Sequence, residues 1–249
     1  PDDGSVQIDA LGLAMCGLSM SGPKSRDLLA VLADEDVSHE ATKFMDIRDM
    51  TLDGIPCIVG RVSFTGDLGY EIWMKPEYQR TIYDLLHEHG AAHGIRNVGL
   101  RAFLSLRLEK KFGTWGREYR PIYGPMEAAL DRFVAYDKPA DFIGKAAVAA
   151  RKENGPKARM LQFRLTDPEP LLYHNEPLLR DGEIVGYLSS GAYGHTLGGA
   201  IGMGYVPCEG ESAADVLGST YEIDVCGVKV TAEASLKPMY DPKSERVKA

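Results

Sequence analysis

The hydrophobic pattern of this 249-residue chain changes near residues 154–157. Before that point, stretches with apolar residues at helical spacing alternate irregularly with strand-like stretches. After it, short alternating strands follow one another between glycine-rich turns, and no helical pattern is visible. A chain of this length has room for one large or two modest domains with real cores. We therefore predict an α+β domain over residues 1–155 and a small all-β domain, either a barrel or a sandwich, over residues 156–249.

Helices in the first domain are predicted from apolar spacing and from the proline or glycine residues at their ends. They cover residues 23–34, 76–89, 98–112 and 141–153. A hairpin is predicted at Asp53-Gly54, because this dipeptide between two strand-like runs favours a tight turn. Helices interrupted by a hairpin favour an α+β layer over a regular parallel βαβ series.

Two further dipeptides predict hairpins in the second domain. Asp181-Gly182 and Cys226-Gly227 each separate two short runs with alternating apolar residues. Because no helical pattern lies between these hairpins, the prediction for this part of the chain is all-β.

Composition and charge argue against several classes of function. The formal net charge of −8 argues against nucleic-acid binding, which favours a basic patch. No apolar run reaches the length of about 18 residues that a membrane helix needs, and no signal peptide opens the chain.

The four cysteines form no CxxC pair, so they indicate reduced thiols of an intracellular protein, in the cytoplasm or in the mitochondrial matrix if the source is eukaryotic. The chain begins at Pro1 without a methionine, so we expect a processed chain or a piece of a longer one.

Residues 61–73, which read RVSFTGDLGYEIW, are the first candidate for a ligand site. They begin as a strand, break at Gly66 and Gly69, and resume as a strand that carries Glu71 in an apolar setting. A buried carboxylate is rare unless it has a partner, so this acid indicates a ligand site. The alternative is that Glu71 lies on the solvent-facing side of an edge strand, where alternation would also place it.

Two arginines in the helix over residues 98–112 form a second candidate. Arg107 falls on the apolar stripe of that helix and Arg101 on its flank. A buried guanidinium needs a planar anionic partner. That partner is either an internal acid, Glu109 or Glu118, or the carboxylate of a ligand. In the structural alternative, the arginine side chains reach solvent along the helix surface.

Trp115, which precedes Gly116 just after that helix, is a third candidate. An aromatic ring in this position either walls a pocket for a flat ring or fills the core.

No metal site is predicted. His87, His89 and His93 lie close in sequence, but no Asp, Glu or Cys completes a ligand set with them. The chain also lacks a GxSxG nucleophile motif and a GxGxxG motif after a strand.

Six segments, spread along the chain from residue 19 to residue 248, occur in the same order as the motifs of one known family. They read SMSGPKSRDLL (19–29), RVSFTGDLGYEIW (61–73), GLRAFLSLRLEKKFGTWGREY (99–119), DRFVAYDKPADFIGKAAV (131–148), SSGAYGHTLGGAIGMGYV (189–206) and KPMYDPKSERVK (237–248). Together they resemble the aminomethyltransferase (glycine-cleavage T-protein) family, and more closely the folate-binding C-terminal part of dimethylglycine and sarcosine dehydrogenases.

This resemblance implies a fold and a function. The implied fold is a T-protein-like folate-binding fold, partial because its N-terminal segment is missing, followed by a small C-terminal β-barrel. The implied function is tetrahydrofolate-dependent one-carbon (methylene) transfer, coupled to oxidative N-demethylation of a methylated amine such as dimethylglycine or sarcosine. The ligands implied are the folate and the amine donor, with no nucleic acid and no membrane.

The resemblance also assigns residues to the cofactor. Glu71 resembles the family acid that hydrogen-bonds the pterin edge, and Phe64 stands where T-proteins have Tyr. Stacking could survive that change, whereas a hydroxyl hydrogen bond could not. Arg101 resembles the family arginine that assists pterin or folate-tail binding. Cofactor contacts are also expected from Trp115, Tyr193 and Tyr240.

One family feature has no counterpart in this sequence. The acid near the reactive folate nitrogens lies in an N-terminal segment that the chain lacks, so the catalytic residue is unknown. We expect a fragment or a subunit of a dehydrogenase-type enzyme, completed by an N-terminal segment or a flavoprotein partner. FAD is expected only if a flavin domain is supplied in that way.

Two alternatives to this function stay open. The chain could be a non-catalytic folate-binding or assembly module that has lost transfer chemistry. It could also be a structural subunit in which Glu71 and Arg101 pair with each other.

Overall fold

The computed structural model describes residues 3–249 and divides the chain into two compact units. The first unit runs up to Val98 and includes the C-terminal residues Ser244–Ala249, and the second unit is Gly99–Lys243. The domain boundary after residue 155 was drawn from the change in hydrophobic pattern, and it stays a prediction.

The first unit is a four-stranded antiparallel sheet with helices on one face. Its strands pair in the order β1-β4-β3-β2, so β4 and β3 are the interior strands. The elements are β1 (Cys16–Ser21), α1 (Ser25–Leu32), β2 (Ile47–Leu52), β3 (Ile55–Gly60), β4 (Gly69–Met74) and α2 (Gln79–Gly90). Leu28, Leu29 and Leu32 of α1 pack with Ile82 and Leu86 of α2 in the core under this sheet.

The second unit contains α3 (Leu100–Glu109), α4 (Lys145–Asn154) and a closed barrel of six strands in the order β10-β5-β8-β7-β6-β9. The barrel strands are β5 (Ala158–Leu165), β6 (Pro177–Arg180), β7 (Glu183–Gly194), β8 (Gly199–Pro207), β9 (Tyr221–Val225) and β10 (Val228–Ser235). The predicted C-terminal barrel is confirmed, and the sandwich alternative is wrong. Leu108 of α3 packs against Ile201 and Met203 of the barrel.

The three predicted hairpins are present as β2–β3, β6–β7 and β9–β10. In each turn both central residues have positive φ, for example 49° at Asp53 and 76° at Gly54. Turns with this backbone match the twist of the strands that they join. The three dipeptides predicted the hairpins because each contains a glycine, which adopts positive φ more readily than other residues.

Helix ends differ from the prediction where a residue adopts a left-handed backbone. The helix predicted to reach residue 112 ends at Glu109, because Lys111 has a φ of 58°. The helix predicted from residue 141 begins at Lys145, after Gly144 with a φ of 90°. One helix was missed: α5 (Ala213–Gly218) begins with a capping box between Ser212 and Asp215.

No helix within residues 3–249 is long and apolar enough to cross a membrane. All four cysteines are free thiols, of which Cys57 and Cys208 are buried.

Candidate functional site

Strand β4 presents two different faces, since its side chains alternate. Tyr70, Ile72 and Met74 point into the core and are 0–1% exposed. Glu71 and Trp73 point to the opposite face of the sheet and are half-buried. The face of the sheet away from the helices therefore carries an acid and an indole two residues apart.

Glu71 lies in the middle of this sheet face. It is in register with Ser19 of β1 on one side and with Gly60 of β3 on the other. β4 is an interior strand, so the alternative that placed Glu71 on an edge strand is wrong, although its side chain does lie on the less buried face. Within residues 3–249, the side chain of Glu71 makes no hydrogen bond and no ion pair, so its carboxylate oxygens have accepting capacity to spare.

Trp73 is held flat against the sheet by two glycines. A Cβ placed on Gly17 of β1 would lie 2.9 Å from Trp73 Cδ1, and one placed on Gly60 of β3 would lie 3.0 Å from Trp73 Cζ3. The indole thus extends across β4 from one neighbouring strand to the other, and only glycine at both positions leaves room for it. Trp73 was not among the predicted site residues, although its spacing of two residues from Glu71 was an available signal.

The loop between β3 and β4 carries Phe64, which is half-buried. This loop begins at Arg61, which is 1% exposed. The guanidinium of Arg61 donates to the backbone oxygens of Thr42 and Lys248 at 2.6 and 2.7 Å. Arg61 therefore anchors the start of the segment that carries Phe64 and Glu71.

The other four predicted site residues lie in the second unit. Arg101 is exposed on α3, and Trp115 is 85% exposed, so Trp115 does not fill the core. Tyr193 and Tyr240 are half-buried.

Helix α3 positions both tyrosines through backbone contacts. The Ser105 hydroxyl donates to the backbone oxygen of Tyr193 at 2.5 Å. The backbone N–H of Tyr240 donates to the backbone oxygen of Glu109 at 3.4 Å. Since Arg101 belongs to the same helix, α3 organises three of the four candidates in this unit.

The buried arginine Arg107 has an internal partner. Its guanidinium lies 3.3 Å from the carboxylate of Glu118, and both side chains are at most 1% exposed. Arg107 also donates to the Ser190 hydroxyl at 2.6 Å, while Glu118 accepts from that hydroxyl at 2.6 Å. Burial raises the pKa of Glu118, but Arg107 and the hydrogen-bond donors outweigh it and leave that pKa below its usual value. Of the three partners considered for Arg107, Glu118 is confirmed and a ligand carboxylate is not needed.

Glu109, the other internal candidate, serves a different contact. Its carboxylate accepts from the backbone N–H groups of Thr196 and Leu197 at 2.7 and 3.0 Å. Glu109 therefore holds the turn between β7 and β8 in place and is not the partner of Arg107.

His87 is engaged with Asn97 at 3.0 Å. In the part of the chain that the structure describes, no group of three or more His, Cys, Asp or Glu side chains is arranged to hold a metal ion.

Comparisons with known proteins match this architecture. A family model described as the GCVT N-terminal domain matches residues 1–138, and one described as the glycine cleavage T-protein C-terminal barrel domain matches residues 159–241. A crystal structure of the glycine cleavage system aminomethyltransferase T from Bartonella henselae superposes with a TM-score of 0.77 at 25% identity, covering 92% of this chain and 60% of that one.

Curated relatives fall into two groups by name. The chain is 37% identical to 4-methylaminobutanoate oxidase (formaldehyde-forming) of Paenarthrobacter nicotinovorans and 33% identical to mitochondrial dimethylglycine dehydrogenase of Homo sapiens. These matches cover 94% and 93% of this chain but only 28% and 26% of those proteins. An aminomethyltransferase of Clostridium botulinum is 30% identical over 98% of this chain and 64% of its own length. Because the matching family model covers more than half of the sequence, the chain belongs to the glycine-cleavage T-protein (aminomethyltransferase) family.

Proposed function

We infer that this chain binds tetrahydrofolate and serves one-carbon (methylene) transfer coupled to the oxidative N-demethylation of a methylated amine, such as dimethylglycine or sarcosine. Family membership supports the transfer chemistry. The names of the relatives, an oxidase that forms formaldehyde and a dimethylglycine dehydrogenase, support the coupling to demethylation.

The observation that carries this proposal is that the carboxylate of Glu71 has no hydrogen-bond donor within residues 3–249. An ionised carboxylate is an acceptor-only group that seeks N–H donors. Glu71 is half-buried on an interior strand and has no donor within residues 3–249. The pterin edge of a folate is rich in N–H groups, so it supplies the donors that this carboxylate needs. Hydrogen bonds to a charged acceptor are the strong ones, which suits a group that orients a cofactor.

Two aromatic side chains belong with Glu71 in this proposal. Trp73 offers a flat apolar surface on the same face of β4, and Phe64 lies in the loop that leads into that strand. Aromatic rings stack on planar heterocycles without requiring a hydroxyl. Phe64 can therefore replace the stacking of the family tyrosine but not its hydrogen bond.

The other residues expected to contact the cofactor lie in the second unit. Arg101 is exposed and its guanidinium has no ion pair in the described part of the chain, so it is free to bind the carboxylate of a folate tail. Trp115, Tyr193 and Tyr240 are proposed as further cofactor contacts.

Tetrahydrofolate, when bound, supplies the nitrogens that accept the one-carbon unit. The residues of this chain bind and orient it, and no residue of the chain is assigned as the catalytic acid. The oxidation of the amine is assigned to a flavoprotein part or partner that carries FAD. The cytoplasm or the mitochondrial matrix is the proposed location.

A second candidate function is a folate-binding or assembly module without transfer activity. It is favoured by Phe64, since the loss of the tyrosine hydroxyl removes a polar contact without removing the aromatic ring.

Isothermal titration calorimetry with tetrahydrofolate tests the binding. The Glu71→Gln substitution should weaken binding by roughly tenfold to a hundredfold, because a hydrogen bond to a charged group contributes about 1.5–3 kcal/mol. Glu77→Gln, which changes the charge equally at an exposed position of the same unit, should bind like wild type. If wild type, assembled with the N-terminal segment or flavoprotein part that completes it, fails to bind, or if Glu71→Gln in the same assembly binds as tightly as wild type, the folate site proposed at Glu71 is wrong.

Transfer activity separates the two candidates. A transferase should form 5,10-methylenetetrahydrofolate from a methylene donor faster than the protein-free condensation does. Tight folate binding without such acceleration, in the protein assembled with its flavoprotein part, would identify the non-catalytic module.

A further inference from the structure

A pocket that the proposed folate site does not use lies in the second unit, beside the barrel. Its volume is about 220 Å³, which is room for more than a single water. The residues that matter for its chemistry are two arginines and three tyrosines. They are Arg117, Arg120, Tyr123, Tyr187 and Tyr205.

The charge on the wall of this pocket has one sign. Arg117 and Arg120 both line it, and none of the lining residues is Asp or Glu. The Arg117 guanidinium makes no hydrogen bond or ion pair with the residues that the structure describes. This local cluster of positive charge contrasts with the net charge of −8 of the whole chain. Guanidinium groups without an acidic partner seek oxyanions, which they bind through paired N–H groups.

Glu118, an acid beside the pocket, is already paired with an arginine. Glu118 lies behind the wall, where its carboxylate binds Arg107 and accepts from the hydroxyl of Ser189, which lines the pocket. This carboxylate therefore does not neutralise the charges of Arg117 and Arg120.

Tyrosine hydroxyls complete the set of donors. Arg120 donates to the Tyr187 hydroxyl at 2.9 Å, which orients that hydroxyl and leaves its own proton free to donate. Burial raises the pKa of Tyr123, so its hydroxyl stays protonated.

The back of the pocket is held rigid. The ring of Tyr123 stacks on Tyr205 with centroids 3.5 Å apart and planes at 9°. The Tyr205 hydroxyl donates to the backbone oxygen of Glu118 at 2.9 Å. The aromatic wall formed by Tyr123 and Tyr205 is therefore fixed before a ligand binds, so ordering it adds no entropic cost.

We propose that this pocket binds a small oxyanion ligand, a phosphate- or carboxylate-bearing molecule, through Arg117, Arg120 and the hydroxyl of Tyr187. The site is independent of Glu71, so it stands or falls separately from the folate proposal.

Isothermal titration calorimetry with inorganic phosphate and, separately, with citrate tests this site and distinguishes a phosphoryl from a carboxylate ligand. We expect saturable binding of at least one probe at low salt. The Arg117→Gln/Arg120→Gln double variant should weaken it by about tenfold or more. Arg96→Gln, which removes an exposed arginine of the first unit, should leave it unchanged.

One further variant separates a built site from general attraction to positive charge. Tyr187→Phe keeps the ring and removes the hydroxyl that Arg120 holds, so it should weaken binding several-fold with no change in net charge. Binding should also weaken as the ionic strength rises from about 10 mM to about 150 mM, where the Debye length falls from ~30 to ~8 Å. The proposal is overturned if wild type binds neither probe saturably, or if the double variant binds as tightly as wild type.

Discussion

Trp73 follows Glu71 by two residues in β4, and both side chains lie on the face of the sheet opposite the helices. The indole occupies the space that Gly17 and Gly60 leave on the neighbouring strands. A half-buried carboxylate that has no side-chain partner among residues 3–249 thus stands beside a flat aromatic surface. This pairing suits a planar heterocycle that donates hydrogen bonds from its edge.

Gly60→Ala tests whether the indole needs the space left by glycine. The new Cβ would lie 3.0 Å from Trp73 Cζ3 and 3.2 Å from Cη2, so the ring must move. Overpacking of this kind should lower the free energy of unfolding by about 1–3 kcal/mol, measured by urea denaturation. Gly218→Ala is the matched control, because nothing lies within 4 Å of a Cβ at that position. Equal stability of the two variants would contradict the proposed packing of Trp73.

Glu118→Gln tests the buried ion pair with Arg107. The amide leaves the guanidinium buried without a countercharge, so the free energy of unfolding should fall by roughly 3–5 kcal/mol. Glu88→Gln, at an exposed position, should change it by less than about 0.5 kcal/mol. A loss as small as that of the control would mean that Arg107 is not held by Glu118.

Lys111 should make stability rise with pH on the alkaline side. It is 7% exposed, its ammonium donates to the backbone oxygen of Leu236, and burial lowers its pKa from 10.5 to about 8. Between these two values the unfolded chain binds more protons than the folded chain, so the free energy of unfolding increases with pH. Over the whole window this contribution amounts to about 3 kcal/mol.

The Lys111→Met variant isolates this contribution from other groups that titrate at high pH. Between pH 8 and 10.5, its stability relative to wild type should shift by about 3 kcal/mol in favour of wild type. Lys24→Met, at an exposed position, should show no such shift in urea titrations over the same range. A constant difference between Lys111→Met and wild type would show that Lys111 is not buried as a cation.

The four thiols should differ in reactivity. Cys226 is exposed in the β9–β10 turn, whereas Cys57 is buried and its pKa is raised from 9.0 to about 11. That shift alone makes the Cys57 thiolate about 100-fold rarer. Maleimide labelling at neutral pH, followed by peptide mass spectrometry, should modify Cys226 first and Cys57 only after unfolding. Equally fast labelling of both thiols would contradict the burial of Cys57.

Local features of the fold were predictable from the sequence because few residues determine them. Asp53-Gly54 and Asp181-Gly182 adopt the left-handed backbone that their composition favours, so the hairpins follow from dipeptides. The helix α5 was missed because it has only six residues, although its Ser212–Asp215 capping box was visible in the sequence.

Long-range features were harder to predict. Alternation placed Glu71 opposite the core, but whether β4 is an edge or an interior strand depends on the order in which four strands pair. The partner of Arg107 was narrowed to three candidates, and only the folded structure selects Glu118. The two glycines under Trp73 belong to different strands, so no local pattern relates them to the indole.

The central claim, that Glu71 holds tetrahydrofolate beside Trp73, is tested most directly by ¹⁹F NMR of protein labelled with 5-fluorotryptophan. The chain has two tryptophans, Trp73 and Trp115, whose resonances can be assigned with Trp→Phe variants. Tetrahydrofolate should shift the Trp73 resonance saturably, and Glu71→Gln should raise the dissociation constant by about tenfold or more, while Glu77→Gln should not. An unchanged Trp73 resonance at saturating tetrahydrofolate, or equal dissociation constants for wild type and Glu71→Gln, would contradict the claim.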